Sequence, residues 1–159
     1  MSRAAALLIN LGMLTLGLAG CGTKQETESP VEHNIRSLAV LVGRYRGFNQ
    51  GKAPASPEAL KAFLKAKGPG ESALKSVGLQ PGEIDSLFQS PRDGKPFVYL
   101  APKGGTGMPA MPGPDGKTKK TVVFYESVGA SGSRWVAYDL GAIELVDDAT
   151  FKQLVPDAP

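Results

Sequence analysis

The chain has one cysteine, one histidine and one tryptophan in 159 residues. A lone cysteine excludes an intramolecular disulfide framework, and one cysteine with one histidine excludes a zinc cluster built on those ligands. The length excludes a large multi-domain enzyme. Charge of one sign is scarce as well: 18 Lys and Arg stand against 15 Asp and Glu, for a formal net charge of +3. The basic residues are scattered. The densest group, Lys117-Thr118-Lys119-Lys120, lacks interleaved aromatics and reads as a solvated strand entry, so no case for nucleic acid arises. No Gly-x-Ser-x-Gly elbow occurs, and His33 sits near the start of the chain without a nucleophile to serve. Glycine (20) and proline (13) are plentiful, which commits a sizeable part of the chain to turns and irregular segments.

The first twenty residues are of another kind. Arg3 is their only charge, and the stretch from Ala4 to Leu18 is apolar apart from Asn10, Thr15 and glycines. A positive start and an apolar run of this length form a secretory signal, too short and glycine-rich for a good membrane span. The run ends in Leu18-Ala19-Gly20-Cys21, which resembles the lipobox of bacterial lipoprotein precursors. That resemblance implies that the Cys21 sulfur carries a diacylglycerol, that the signal is cut between Gly20 and Cys21, and that the new amino group takes an acyl chain such as palmitate. The chemistry agrees, since the thiol is the one side chain there nucleophilic enough to accept a lipid. Two or three acyl chains anchor a protein stably at about 0.8 kcal/mol per buried methylene, where one chain does not. The expected location is the bacterial cell envelope, lipid-anchored to a membrane and facing periplasm or exterior. Residues 21–30 contain no apolar side chain after Cys21 and read as a flexible tether.

Residues 31–159 are expected to form one domain. From Val31 to Phe48, Ile35, Leu38, Val42 and Tyr45 recur at helical spacing, with Leu41 and Phe48 alongside. His33, between Glu32 and Asn34, lies off this stripe as an exposed first-turn residue. Ser56-Pro57-Glu58 opens a second helix with Leu60, Phe63 and Leu64 inward, and Gly68-Pro69-Gly70 stops it. Residues 71–80 are ambiguous. A short turn follows at Pro81 to Phe88, with Ile84, Leu87 and Phe88 inward. After Ser90 the period becomes strand-like: Phe97 to Leu100, Thr121 to Val128, Arg134 to Asp139 and Ala142 to Val146. Their short links favour an antiparallel meander. Lys103 to Gly116, with five glycines and three prolines, reads as a mobile loop. Asp147 is expected to cap a closing helix, with Val146 stapled to Phe151.

This order of elements, with Gly94-Lys95-Pro96-Phe97-Val98-Tyr99 entering the first strand, resembles the globular head of type II secretion pseudopilins and related pilin-like proteins. The closing segment, Val123-Phe124-Tyr125-Glu126 through Arg134 to Glu144, is similar to the end of those pilin-like proteins that carry a His-x9-Asp-Gly signature. Gly129 stands where that signature has His, Leu140 separates Asp139 from Gly141, and no prepilin cleavage site is present. The resemblance therefore implies a pilin-like head and not filament assembly.

Candidate chemistry is sparse. Glu126, Asp139 and Glu144 are conceivable as a carboxylate pair across neighbouring strands, but they read more simply as outward-facing, solvated acids. Asp139, Glu144, Asp147 and Asp148 cluster near turns and are the candidates for a calcium site, without EF-hand spacing. Met108-Pro109-Ala110-Met111 lacks the His or Cys that copper ligation needs. Trp135 and Tyr138 read as core and interface aromatics.

The sequence thus predicts an α+β domain, with N-terminal helices on an antiparallel sheet of about four strands. The expected function is that of a noncatalytic interaction or structural module beside a secretion or pilus-like assembly. It would engage a membrane through its lipid and an envelope protein as partner, with no small-molecule substrate or further cofactor. The alternative is a periplasmic lipoprotein that binds a small ligand or calcium.

Overall fold

The computed structural model of the chain describes residues 28–101 and 120–158. The expected signal, Cys21, most of the tether, the 103–116 loop and the Met108–Met111 stretch lie outside the described residues.

Helix α1 (Pro30–Phe48) begins at the last residue of the expected tether. The Ser29 hydroxyl accepts from the Glu32 amide while the Glu32 carboxylate accepts from the Ser29 N–H at 2.7 Å, and Pro30 stands where its missing donor costs nothing. Glu28 joins the same start, its Oε1 accepting from Arg36 Nε at 2.7 Å. Glu28, Ser29 and Pro30 belong to the helix start. The apolar stripe is confirmed at Ile35, Leu38, Leu41 and Val42, all fully buried. Phe48 departs from it. At the last turn its ring is 55% exposed, lying 5.8 Å from that of Phe63.

Helix α2 (Pro57–Lys65) is capped by Ser56 as expected. Gly68-Pro69-Gly70 ends one helix and starts another, because Pro69 is the first residue of α3 (Pro69–Ser76), which settles the ambiguous stretch. Gly70 must be glycine for a packing reason: a β-carbon there would lie 2.3 Å from the Phe63 carbonyl oxygen. A 3-10 turn (Pro81–Glu83) then runs into the single turn of α4 (Ile84–Leu87).

Four strands follow, β1 (Phe97–Tyr99), β2 (Val122–Glu126), β3 (Ser133–Tyr138) and β4 (Ile143–Asp147), paired antiparallel in the order β1-β2-β3-β4. The α+β meander is as expected. The β2–β3 link is a two-residue hairpin in which Ala130 and Ser133 exchange backbone bonds while Ser131 and Gly132 both take positive φ, the turn whose twist suits paired strands. Helix α5 (Asp148–Leu154) starts from Asp147, whose Oδ1 accepts from the Thr150 amide at 2.7 Å.

The sheet is buried on both faces. One face carries Phe97, Val123, Phe124 and Ala137 against α1 to α4, and the other carries Val122, Tyr125, Val136 and Val146 against Phe151 and Val155. Strict alternation would separate Val123 from Phe124, but a bulge between Val122 and Phe124 shifts the β2–β3 register. Both therefore turn to the helices, adding an apolar side chain to the larger core.

Candidate functional site

An open groove lies on the sheet face away from α1. Helix α5 packs over β3 and β4 and leaves the β1–β2 half of that face less covered. The result is a groove of about 610 Å³, floored by Val98, Leu100, Val122 and Tyr125 and walled by Leu154 and the segment from Val155 to Ala158. That size is within the range of small-ligand sites. Lys120, Thr121 and Asp157 stand on its rim. Lys120 is held above the Tyr138 ring at 5.0 Å and 3.7 Å from the Glu144 carboxylate, so its charge is directed along the sheet.

The candidate carboxylates do not meet. Glu126 is 1% exposed, which corrects its reading as an outward-facing solvated acid. Its Oε1 accepts from the Ser90 hydroxyl at 2.8 Å, and its Oε2 accepts from Arg92 Nη1 at 2.9 Å and the Trp135 amide at 3.0 Å. The reason lies in the register: Phe97 faces Glu126 across β1–β2, and the Ser90–Asp93 turn folds over the end of that pair. Asp139 pairs with Arg46 near the end of α1, so it too is held within the fold. Glu144 accepts from the Tyr138 hydroxyl at 2.9 Å.

The four acids named for calcium are likewise divided. Asp139 faces Arg46, Glu144 faces Tyr138, Asp147 caps α5, and Asp148 accepts from Arg134 Nη2 at 3.0 Å. Among the described residues no three His, Cys, Asp or Glu side chains are grouped to hold a metal. Backbone and side-chain hydrogen bonding to Thr150 lowers the Asp147 pKa, as a cap should. His33 lies in the first turn but is only partly exposed, 3.6 Å from Glu28. Trp135 packs against the helix-side core and Tyr138 is buried on the other face.

Two functional-looking groups were missed. Arg46 follows Val42 by four residues and so lies on the buried stripe of α1, a signal present in the sequence. Ser90 and Arg92 carried none, because their role depends on a turn meeting a distant strand.

Comparison with known proteins finds no matching family model, no matching curated protein and no matching solved structure. Among the described residues no helix is long and apolar enough to cross a membrane.

Burial pushes the Tyr99 phenol from its ordinary value near 10 up to about 12, the Tyr99 hydroxyl donating to the Pro54 carbonyl at 2.8 Å. Burial and then the bond to Glu144 push Tyr138 to about 12 as well. Both phenols stay protonated in the folded state at a pH where the unfolded chain has lost those protons. Their stabilising contribution is therefore complete below pH 10 and is lost as pH rises from about 10 to about 12. Denaturant unfolding across this range, with phenolate absorbance followed in parallel, should show that fall, shallower in Tyr99→Phe. Stability unchanged between pH 10 and 12 would contradict the burial of these rings.

Proposed function

We propose that the chain is a lipid-anchored protein of the bacterial cell envelope, with a pilin-like head that works as a noncatalytic interaction module. The observation that carries this reading is the position of the only cysteine, which closes the Leu18-Ala19-Gly20-Cys21 segment a short polar stretch ahead of the Ser29 cap. Among the described residues the first to be buried is Val31, two positions after the Ser29 cap. The chemistry of the head supports the same reading. The acids that a hydrolytic or metal site would use are engaged with Arg46, Arg92, Arg134, Tyr138 and the α5 cap, where they hold the fold together. A head of this kind presents surfaces to an envelope protein, beside a secretion or pilus-like assembly.

Cys21→Ser tests the anchor. A hydroxyl is far less nucleophilic than a thiolate, so the variant should incorporate no labelled fatty acid and should accumulate as unprocessed precursor. Equal labelling of both chains, or a mature N-terminus other than Cys21, would remove the proposal.

A second reading, a ligand-carrying lipoprotein, is favoured by the groove, whose floor of Val98, Leu100, Val122 and Tyr125 offers apolar contact. Under it the folded protein should enhance the fluorescence of a hydrophobic dye, and Val98→Glu should abolish that enhancement. A folded protein that leaves the dye dark would reject this reading.

A further inference from the structure

The strand order leaves β4 at one border of the sheet, and its backbone shows which groups are turned outward. At the two ends of the β3–β4 pair, the Tyr138 amide donates to the Ala142 carbonyl at 2.8 Å and the Asp148 amide to the Gly132 carbonyl at 3.2 Å. Between these bonded pairs the register runs Arg134 to Val146, Trp135 to Leu145, Val136 to Glu144 and Ala137 to Ile143. In an antiparallel pair, bonded and non-bonded positions alternate. Val146 and Glu144 thus direct their amides and carbonyls to β3, whereas Ile143, Leu145 and Asp147 direct theirs away from it. Among the described residues no other segment pairs with that border. A border of this kind is a template for another strand.

The side chains along it are unusual for an unguarded edge. Leu145 sits at the middle and is 49% exposed, beside Ile143, which packs on the helix-side core together with Trp135. Natural sheet edges place a charge or proline at such a point. Here the charged neighbours, Glu144 and Asp147, lie to either side of the apolar centre.

We propose that two copies of this chain pair through β4, antiparallel about a twofold axis at Leu145. Only outward-directed residues can exchange bonds, which leaves few registers to weigh. With the axis at Leu145, that residue meets its own copy and exchanges both bonds, and each Asp147 amide reaches the partner's Ile143 carbonyl. The Asp147 carbonyl is committed to the first turn of α5. In this register Glu144 faces Val146. Moving the axis to Glu144 sets two like charges opposite each other, which is unfavourable. Moving it to Val146 shortens the pairing and leaves Ile143 without a partner. The Leu145 register is therefore the longest that avoids like charges. The strand is its own complement, and this selects a second copy as occupant. So short a contact is weak in dilute solution; its occupancy at a membrane rests on the proposed Cys21 anchor, which holds copies on one surface and raises their effective concentration.

The test uses the full chain in membranes, carrying either Leu145→Cys or Glu144→Cys, under mild oxidation, with membrane and soluble fractions assayed separately. In the proposed register the two Leu145 α-carbons lie about 5.5 Å apart, within disulfide reach, while the Glu144 pair is offset by two positions and exceeds about 7 Å. Leu145→Cys should give on the order of tenfold more disulfide-linked dimer than Glu144→Cys, because bridging requires that spacing. The parent chain should give none. Equal yields, no dimer from either, or more from Glu144→Cys would overturn the proposal. A chain found only in the soluble fraction would count against the anchor, and the ratio of the two yields would still judge the register. Leu145→Pro gives an independent reading, because it removes an outward amide without touching the β3 ladder. In lipid vesicles, where the parent pairs, labelled copies of it should show no energy transfer, with a thermal midpoint like that of the parent. A folded Leu145→Pro chain that dimerises as the parent does would also overturn the pairing.

Discussion

A buried carboxylate at the point where the helical half of the chain becomes the sheet half holds the two together. Glu126 ends β2, and around it meet the Ser90 hydroxyl, the Arg92 guanidinium and the Trp135 amide of β3. Isolated burial of this charge would be costly, so it persists only because donors come to it from three directions. Removing one partner of a buried pair costs about 3–5 kcal/mol, of the order of a small domain's whole stability. Arg92 is 28% exposed and reaches water, whereas Glu126 does not, so the carboxylate is the member that requires its partners. With the turn from Ser90 to Asp93 pinned, Phe97 donates to the Phe88 carbonyl at 3.0 Å and β1 is delivered into register beside β2.

The remaining architecture follows from having placed β1 and β2. Once β2 is in the sheet, its bulge turns both Val123 and Phe124 to the helices, and the Tyr99 and Phe88 rings close on Phe124 at 5.0 and 6.4 Å. The opposite face is left to Val122 and Tyr125, and α5 covers part of it through the contact of Phe151 with Tyr125 at 5.0 Å. That partial cover creates the groove. At the far end of α1, Arg46 meets Asp139 where β3 leaves the sheet, a second charged tie between the helical layer and the meander. The acids that appear chemically available in the sequence are thus consumed by the joints of the fold.

The helices were legible because their signals are local. Ser56-Pro57 and Asp147 cap the helices they were expected to cap, and the spacing of Ile35, Leu38 and Val42 identified the buried stripe. The change to a two-residue period after Ser90 announced the strands, and links as short as Leu140-Gly141 left antiparallel pairing as the economical connection. What escaped was non-local. Alternation marks one face of a strand, so it cannot show that both faces of β2 are covered or that a bulge sets Val123 and Phe124 on one side. Glu126 looked like an outward acid because its donors are more than thirty positions earlier in the chain or on the next strand. The same blindness made a calcium cluster of Asp139, Glu144, Asp147 and Asp148, which are near in sequence yet face different partners.

The tie at Glu126 is read most directly through the Trp135 amide, which donates to its carboxylate at 3.0 Å. Native-state hydrogen exchange of individual amides measures the free energy of the opening that releases each one. If the carboxylate joins the two halves, the Trp135 amide should exchange only through global unfolding, as slowly as the amides of Phe124 and Ala137 in the fully buried core. Exchange of the Trp135 amide as fast as that of Leu145 on the outer strand would contradict the account.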